Sequence, residues 1–271
     1  MDLLVVGAGE MGRWVGDRLD AAAYADRDPS AAAAAAEATG AGTVPVDGDK
    51  RFEAVCLAVP ISAAEAAVAA QAPRAERALV DVTGAMAAVV DAMREHAPDR
   101  ERLSLHPLFA PENAPGNVAA VHDAAGPVTR AVRDALDAAG NDVFDTTPTE
   151  HDEAMRTVQA GAHAAVLAYA LAADDVRPEF ATPVSGRLDD LVATVTGGSP
   201  DVYREIQETF AGADRVADAA RRVADAEGAA FDRLYREART RGGRGAASPV
   251  GDRSADAETD PDAGSDPTAD G

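Results

Sequence analysis

Leu3-Leu4-Val5-Val6 runs straight into Gly7-Ala8-Gly9-Glu10-Met11-Gly12, and a helix-forming stretch follows from Met11 to Leu19. This apolar strand breaking into G-x-G-x-x-G is the most constraining feature of the chain. Glycines at these spacings let the backbone turn tightly, approach a pyrophosphate with no Cβ in the way, and press helix against strand. The helix would aim its free N–H groups and positive dipole end at the phosphates. A second short strand, Ala22–Ala25, ends at Asp26, about 20 residues along, where a carboxylate takes the ribose hydroxyls. The pattern implies a dinucleotide site built by Gly7, Ala8, Gly9, Glu10, Met11, Gly12 and Asp26. Asp26 favours NAD; Arg27, directly after it, makes NADP the alternative.

Further apolar runs at Ala54–Val59, Ala78–Val82 and Leu103–Leu105, with a late candidate at Asp142–Phe144, alternate with Ala-rich helical stretches. Short strands separated by helices predict an α/β fold, a Rossmann-type doubly wound parallel sheet, over residues 1–146. Ligands of such sheets lie beyond the carboxyl ends of the strands. Asp26, Val59, Pro60, Thr83 and His106 all stand at or just past such ends, which marks Val59 and Pro60 as cofactor contacts and Thr83 and His106 as candidates for chemistry. From Thr147-Pro148-Thr149-Glu150, a helix start with a capping Thr and Pro at its first position, the chain reads as all-helical to residue 239. Gly212 and Gly228 break the apolar stripe between Asp201 and Arg239. That stripe holds too few bulky residues to close a core alone, so this second domain, 147–239, is expected to form a homodimer. Residues 240–271 are Gly, Ala, Ser, Pro and Asp with little to bury, and read as a disordered acidic tail.

Acidic residues outnumber basic ones 47 to 25, a net charge of −22, and Lys50 is the only lysine. Such a surface repels nucleic acid and anionic membrane, so neither is an expected partner. Loss of lysine amid abundant Asp, Glu and Ala suits a protein adapted to molar salt, although Arg and Ala bias from a GC-rich genome explains part of it. No apolar run approaches the ~18 residues of a membrane span, and no basic segment precedes an apolar one, so a soluble cytoplasmic protein is expected. Cys56, the single cysteine, lies within an apolar strand and reads as packing. No metal-ligand spacing is present.

Leu105-His106-Pro107-Leu108-Phe109-Ala110-Pro111 places a histidine just after a strand between rigid prolines. It is either a turn histidine of no consequence or an imidazole held to take a proton from a hydroxyl as hydride leaves the same molecule. At these residues the chain resembles the prephenate dehydrogenases, specifically the short archaeal type, over roughly residues 2–238. The resemblance rests on Gly7–Gly12, Cys56-Leu57-Ala58-Val59-Pro60, Asp81-Val82-Thr83, His106-Pro107-Leu108-Phe109, His151-Asp152 with His163 following, and Ser199 to Gln207. It implies NAD-dependent oxidative decarboxylation of prephenate to 4-hydroxyphenylpyruvate, a step of tyrosine synthesis. His106 would assist deprotonation of the ring hydroxyl, and His163 would help form the substrate pocket. On its own, His163 in an Ala-rich helix would read as an interior residue, and His151 reads as structural or as a support to the site. Two departures stand out: the family's serine and lysine after the fourth strand fall on Gly84 and Met86, and its carboxylate-clamping arginine on Thr194. Thr83 is the candidate stand-in for the serine, and Arg187 or Arg156 for the arginine. Arogenate dehydrogenase, a reductase of imines or 3-hydroxyacids, and a catalytically degenerate dinucleotide-binding regulator are the other readings.

Overall fold

The computed structural model describes residues 1–242; residues 243–271, and with them nearly all of the expected tail, lie outside the described residues. Met1–Ala226 forms one compact unit, and the described residues from Glu227 on belong to another. The expected boundary at 146/147 therefore falls inside the first unit.

Eight strands make one sheet: β1 (Leu3–Val6), β2 (Ala23–Ala25), β3 (Gly42–Thr43), β4 (Phe52–Leu57), β5 (Ala75–Asp81), β6 (Glu101–Pro107), β7 (Asn117–Ala124) and β8 (Asp142–Asp145). Their spatial order is β3-β2-β1-β4-β5-β6-β7-β8. The chain moves outward from β1 to β3 and then returns to place β4 on the other side of β1. That reversal opens a crevice beyond the carboxyl ends of β1 and β4, where α/β sheets bind ligands. Helices α1 (Glu10–Arg18), α2 (Pro29–Thr39) and α5 (Pro127–Ala138) cover one face, and α3 (Ala64–Gln71) and α4 (Ala87–His96) the other. Alternation along the strands sorts the core: Leu3, Val5, Ala54, Cys56, Val80 and Leu105 pack under the first layer, and Leu4, Val6, Val55, Leu57 and Leu79 under the second. Strands buried on both faces read as continuous apolar runs, which is why the parallel ones are recognisable in the chain.

Three features correct the sequence reading. β7 is absent from it, and it pairs antiparallel to β6, opposing His106 to Ala119, so the sheet is mostly rather than wholly parallel. The two-residue β3 is absent from it as well. His106 lies within β6 rather than after it, so a strand and not a loop holds its backbone.

After β8 come α6 (Pro148–Met155), a π-helical turn (Arg156–Gly161), α7 (Ala162–Ala172), α8 (Pro183–Gly197), α9 (Pro200–Phe210) and α10 (Ala213–Ala224). Thr147 caps α6 by accepting from Glu150 N. The breaks expected at Gly212 and Gly228 are present, with Gly228 at φ +45°. The second unit contains one described helix, α11 (Ala229–Gly242).

Candidate active site

The fingerprint closes as its spacing requires. Gly7 sits at φ +99°, and a Cβ there would lie 2.1 Å from the carbonyl oxygen of Ala58. A Cβ on Gly12 would lie 1.9 Å from the carbonyl oxygen of Gly7. These contacts press β1, β4 and α1 together. Above Gly9 the reverse holds, because a Cβ there meets nothing within 4 Å. The α1 N-terminus, with Gly9 as its cap residue and no side chain bonded to it, thus opens onto free space. Asp26 Oδ2 accepts from Ala8 N at 2.7 Å and Oδ1 from Asp28 N at 2.8 Å. Each oxygen keeps a further lone pair for a diol. An open cradle over helix N–H groups beside a fixed carboxylate fits a dinucleotide's pyrophosphate and ribose.

On the same edge, β5 and β6 run parallel to β4 and end in a buried polar cluster. Asp81, fully buried, accepts from Thr83 N at 3.0 Å and Thr83 Oγ1 at 2.8 Å. Burial pushes its carboxyl up to about 7 against the pull of those bonds. The turn that Asp81 holds brings Gly84 beneath His106, where a Cβ would come 3.7 Å from His106 Nε2. His106 is itself buried, and burial lowers its imidazole to about 3. It is a neutral proton acceptor. Its Nδ1 is 2.8 Å from His151 Nε2, and His151 Nδ1 is 2.8 Å from Asp152 Oδ1. Asp152 also caps α4, accepting from Met86 N at 3.1 Å and Ala87 N at 3.0 Å. Against a burial penalty, His151 and those two N–H groups hold its carboxyl below the ordinary value.

The helices complete the wall. Gln159, in the π turn, puts its Nε2 3.4 Å from His106 Nε2, while its Oε1 is buried with no partner. Single π turns often mark functional sites because the extra residue re-aims a side chain. This one is braced from α9, where Gln207 donates to the Ala160 carbonyl at 2.8 Å. Glu205, also on α9, accepts from Ile61 N at 2.9 Å and Ser62 Oγ at 2.5 Å, tying the helices to the turn after Pro60. His163, four residues beyond Gln159, packs edge-on to Tyr203 at 4.8 Å; its Nδ1 is buried without a partner, and burial lowers its pKa. Leu167, Val195, Thr196, Tyr203, Arg204 and Gln207 line an adjoining cleft of about 370 Å³.

Residues 21–124 match the family described as prephenate dehydrogenase, nucleotide-binding domain. The 4-amino-4-deoxyprephenate dehydrogenase of Streptomyces pristinaespiralis is 33% identical over 173 residues, 59% of this chain. Residues 21–124 are thus similar to the nucleotide-binding domain of the prephenate dehydrogenases. The Streptomyces match spans 58% of that protein's own length. In fold, the chain resembles the A. aeolicus prephenate dehydrogenase solved with hydroxyphenyl propionate and NAD+, at TM-score 0.65 and 15% identity over 90% of this chain and 93% of that one. Synechocystis arogenate dehydrogenase superposes at 0.61 and 15% identity, over 90% of this chain and 99% of that one.

The expected site residues divide. His106 and the fingerprint residues Gly7 to Gly12 with Asp26 lie on one edge of the sheet, and His163 follows Gln159 along the same helical segment. Val59 packs under Gly7, 3.4 Å from where its Cβ would be, and Pro60 begins the turn that Glu205 holds. Thr83 is buried, and its hydroxyl bonds to Asp81 and to the Ala85 carbonyl at 3.2 Å. Arg187 is exposed on α8. It lies eight residues before Val195, or about 12 Å along the helix axis, nearer the end where Asp189 accepts from Tyr169 Oη. This chain alone does not bring Arg187 to the cleft. Arg156 opens the same π turn that carries Gln159. The sequence reading missed Gln159, and it left open whether His151 is structural or a support to the site. His151-Asp152 is visible as a motif, but its contact with His106 joins residues 45 apart.

Proposed function

We propose that the chain carries out NAD-dependent oxidative decarboxylation of prephenate to 4-hydroxyphenylpyruvate, with arogenate as the alternative substrate. One observation carries the reading: a neutral, buried imidazole nitrogen, His106 Nε2, lies beside Gly84 and the amide of Gln159. It lies on the sheet edge that holds the dinucleotide cradle. Gly7, Gly9, Gly12, the α1 N-terminus and Asp26 would hold NAD, which supplies the hydride-accepting ring when bound. His106 Nε2 takes the proton of the ring hydroxyl as the carbon bearing it is oxidised. Loss of the ring carboxylate as CO2 then makes the ring aromatic. Gln159 orients the hydroxyl. We assign the substrate's carboxylate to Arg156 rather than Arg187, because Arg156 shares the π turn with Gln159.

The name of the Streptomyces relative supports a second substrate, with an amine in place of the ring hydroxyl. The lone pair of His106 Nε2 and the unpartnered Oε1 of Gln159 are both acceptors, and an amine offers two hydrogens where a hydroxyl offers one.

The helices support dimerisation. Every residue of α7 except His163 is apolar or aromatic, yet none is buried, and Leu171 is 88% exposed. A helix apolar all round needs a partner, and we infer a second copy, to be checked by light scattering in molar KCl. None of the described helices is long and apolar enough to cross a membrane.

The test of function is NADH formation with prephenate, arogenate or 4-amino-4-deoxyprephenate in molar KCl, comparing the native chain with His106→Asn. The substitution should lower kcat by about 10²–10⁴-fold and leave NAD affinity unchanged. Turnover of none of the three substrates would favour the regulator reading, and undiminished turnover by His106→Asn would remove the mechanism.

A further inference from the structure

We propose that His151, held by Asp152, is a positioning residue that fixes which nitrogen of His106 carries its proton, and so makes Nε2, the nitrogen beside Gln159, the acceptor. The proposal rests on the reading of His106 as the base. Three hydrogen bonds, each with a fixed direction, lead to it. Asp152 is anchored by two backbone donors at the start of α4, Met86 N and Ala87 N. A carboxylate in that setting only accepts. Its Oδ1 stands 2.8 Å from His151 Nδ1, so the hydrogen of that bond belongs to His151. In the neutral form of that ring, which carries one N–H, the Nε2 of His151 is left with a lone pair.

That lone pair faces His106 Nδ1 at 2.8 Å. Two lone pairs cannot share the contact, so His106 donates from Nδ1. Burial keeps His106 neutral, and its single hydrogen is spent there. Nε2 is consequently a bare acceptor, matching the Gln159 amide nitrogen 3.4 Å away, which has hydrogens to offer. The one group that cannot reverse its role, Asp152, thus sets polarity along a chain that crosses from α4 through α6 to β6. When Nε2 takes up a proton, charge develops on His106, and the Nδ1–H bond to His151 strengthens with Asp152 behind it, as in other imidazole–carboxylate arrangements. Nothing in this chain of bonds depends on which ring substrate enters.

Two variants separate positioning from packing. His151→Gln keeps the polarity, because its amide N–H group can face Asp152 and its oxygen can accept from His106 Nδ1. His151→Phe fills the space but removes the acceptor, leaving a buried Nδ1–H without a partner and driving the hydrogen to Nε2. The readout is nitrogen NMR of protein labelled with ¹⁵N-histidine, at pH 8.5 and without substrate; the chain has five histidines to assign. The native chain and His151→Gln should show His106 protonated at Nδ1, and His151→Phe should show it at Nε2. In turnover, His151→Phe should lose about 10²–10⁴-fold in kcat, the range of a lost acid–base group, with KM for NAD unchanged; His151→Gln should stay within about tenfold of native. Native His106 protonated at Nε2 would overturn the proposal, whether or not any variant folds. So would equal losses in His151→Gln and His151→Phe. The tautomer is read without substrate, so an unreactive protein showing Nδ1–H would refute the proposed function and leave the positioning intact.

Discussion

Asp81 offers a direct test of how the fold supports its site. The carboxyl is fully buried: Thr83 bonds to Oδ1, and the buried Ser104 hydroxyl lies against the group. Burial raises its pKa from 3.8 to about 7. Each tenfold change in proton affinity is worth about 1.4 kcal/mol, so folding around this group changes its proton binding by about 4 kcal/mol. The folded state therefore holds a proton that the unfolded chain has released between pH 4 and 7. Stability from this group is fully present below about pH 4 and is lost as pH rises to about 7. Asp81→Asn removes the titration, keeps an oxygen for Thr83, and replaces Oδ2 with an N–H donor. The variant should match the native chain near pH 4 and exceed it by up to about 4 kcal/mol at pH 8.5. Urea unfolding followed by circular dichroism, at fixed molar KCl and stepped pH, measures the difference between the two proteins. All other titrations are common to both and cancel. A difference that stays within about 0.5 kcal/mol from pH 4 to 8.5, less than even a tenfold change in proton affinity would give, would refute the argument. Because Asp81 holds the turn carrying Gly84, the same experiment probes the floor beneath His106.

Two further outcomes are expected. Asp26→Ala removes charge-assisted bonds of about 1.5–3 kcal/mol, so NAD binding measured by calorimetry should weaken about 10- to 100-fold and the preference over NADP should relax; equal turnover with NADP in the native chain would overturn the assignment. Lowering KCl from molar to ~10 mM extends the Debye length from ~3 to ~30 Å, so a chain of charge −22 should lose dimer or fold by light scattering and circular dichroism, and an unchanged molecule would remove the salt-adaptation argument.

The dinucleotide half is legible in the chain because its determinants are local. A strand, a glycine turn and a helix follow one another within Leu3–Arg18, and the clashes that demand Gly7 and Gly12 are with backbone, so no other residue type serves. Parallel strands buried on both faces stand out as apolar runs for the same reason. β7 does not, because Asn117-Val118-Ala119-Ala120-Val121 is alanine-rich and its burial comes from β6 and β8 on either side. The chemistry of the site is the part that only packing decides. From the sequence, Thr83 looks available and His151 is either structural or a support; the fold turns the Thr83 hydroxyl inward onto Asp81 and sets His151 against His106. Gln159 gains its place because a π turn, braced by Gln207 from a distant helix, re-aims it toward β6. Backbone demands are written residue by residue in the chain, whereas the direction of a proton and the reach of a side chain depend on neighbours that folding alone brings together.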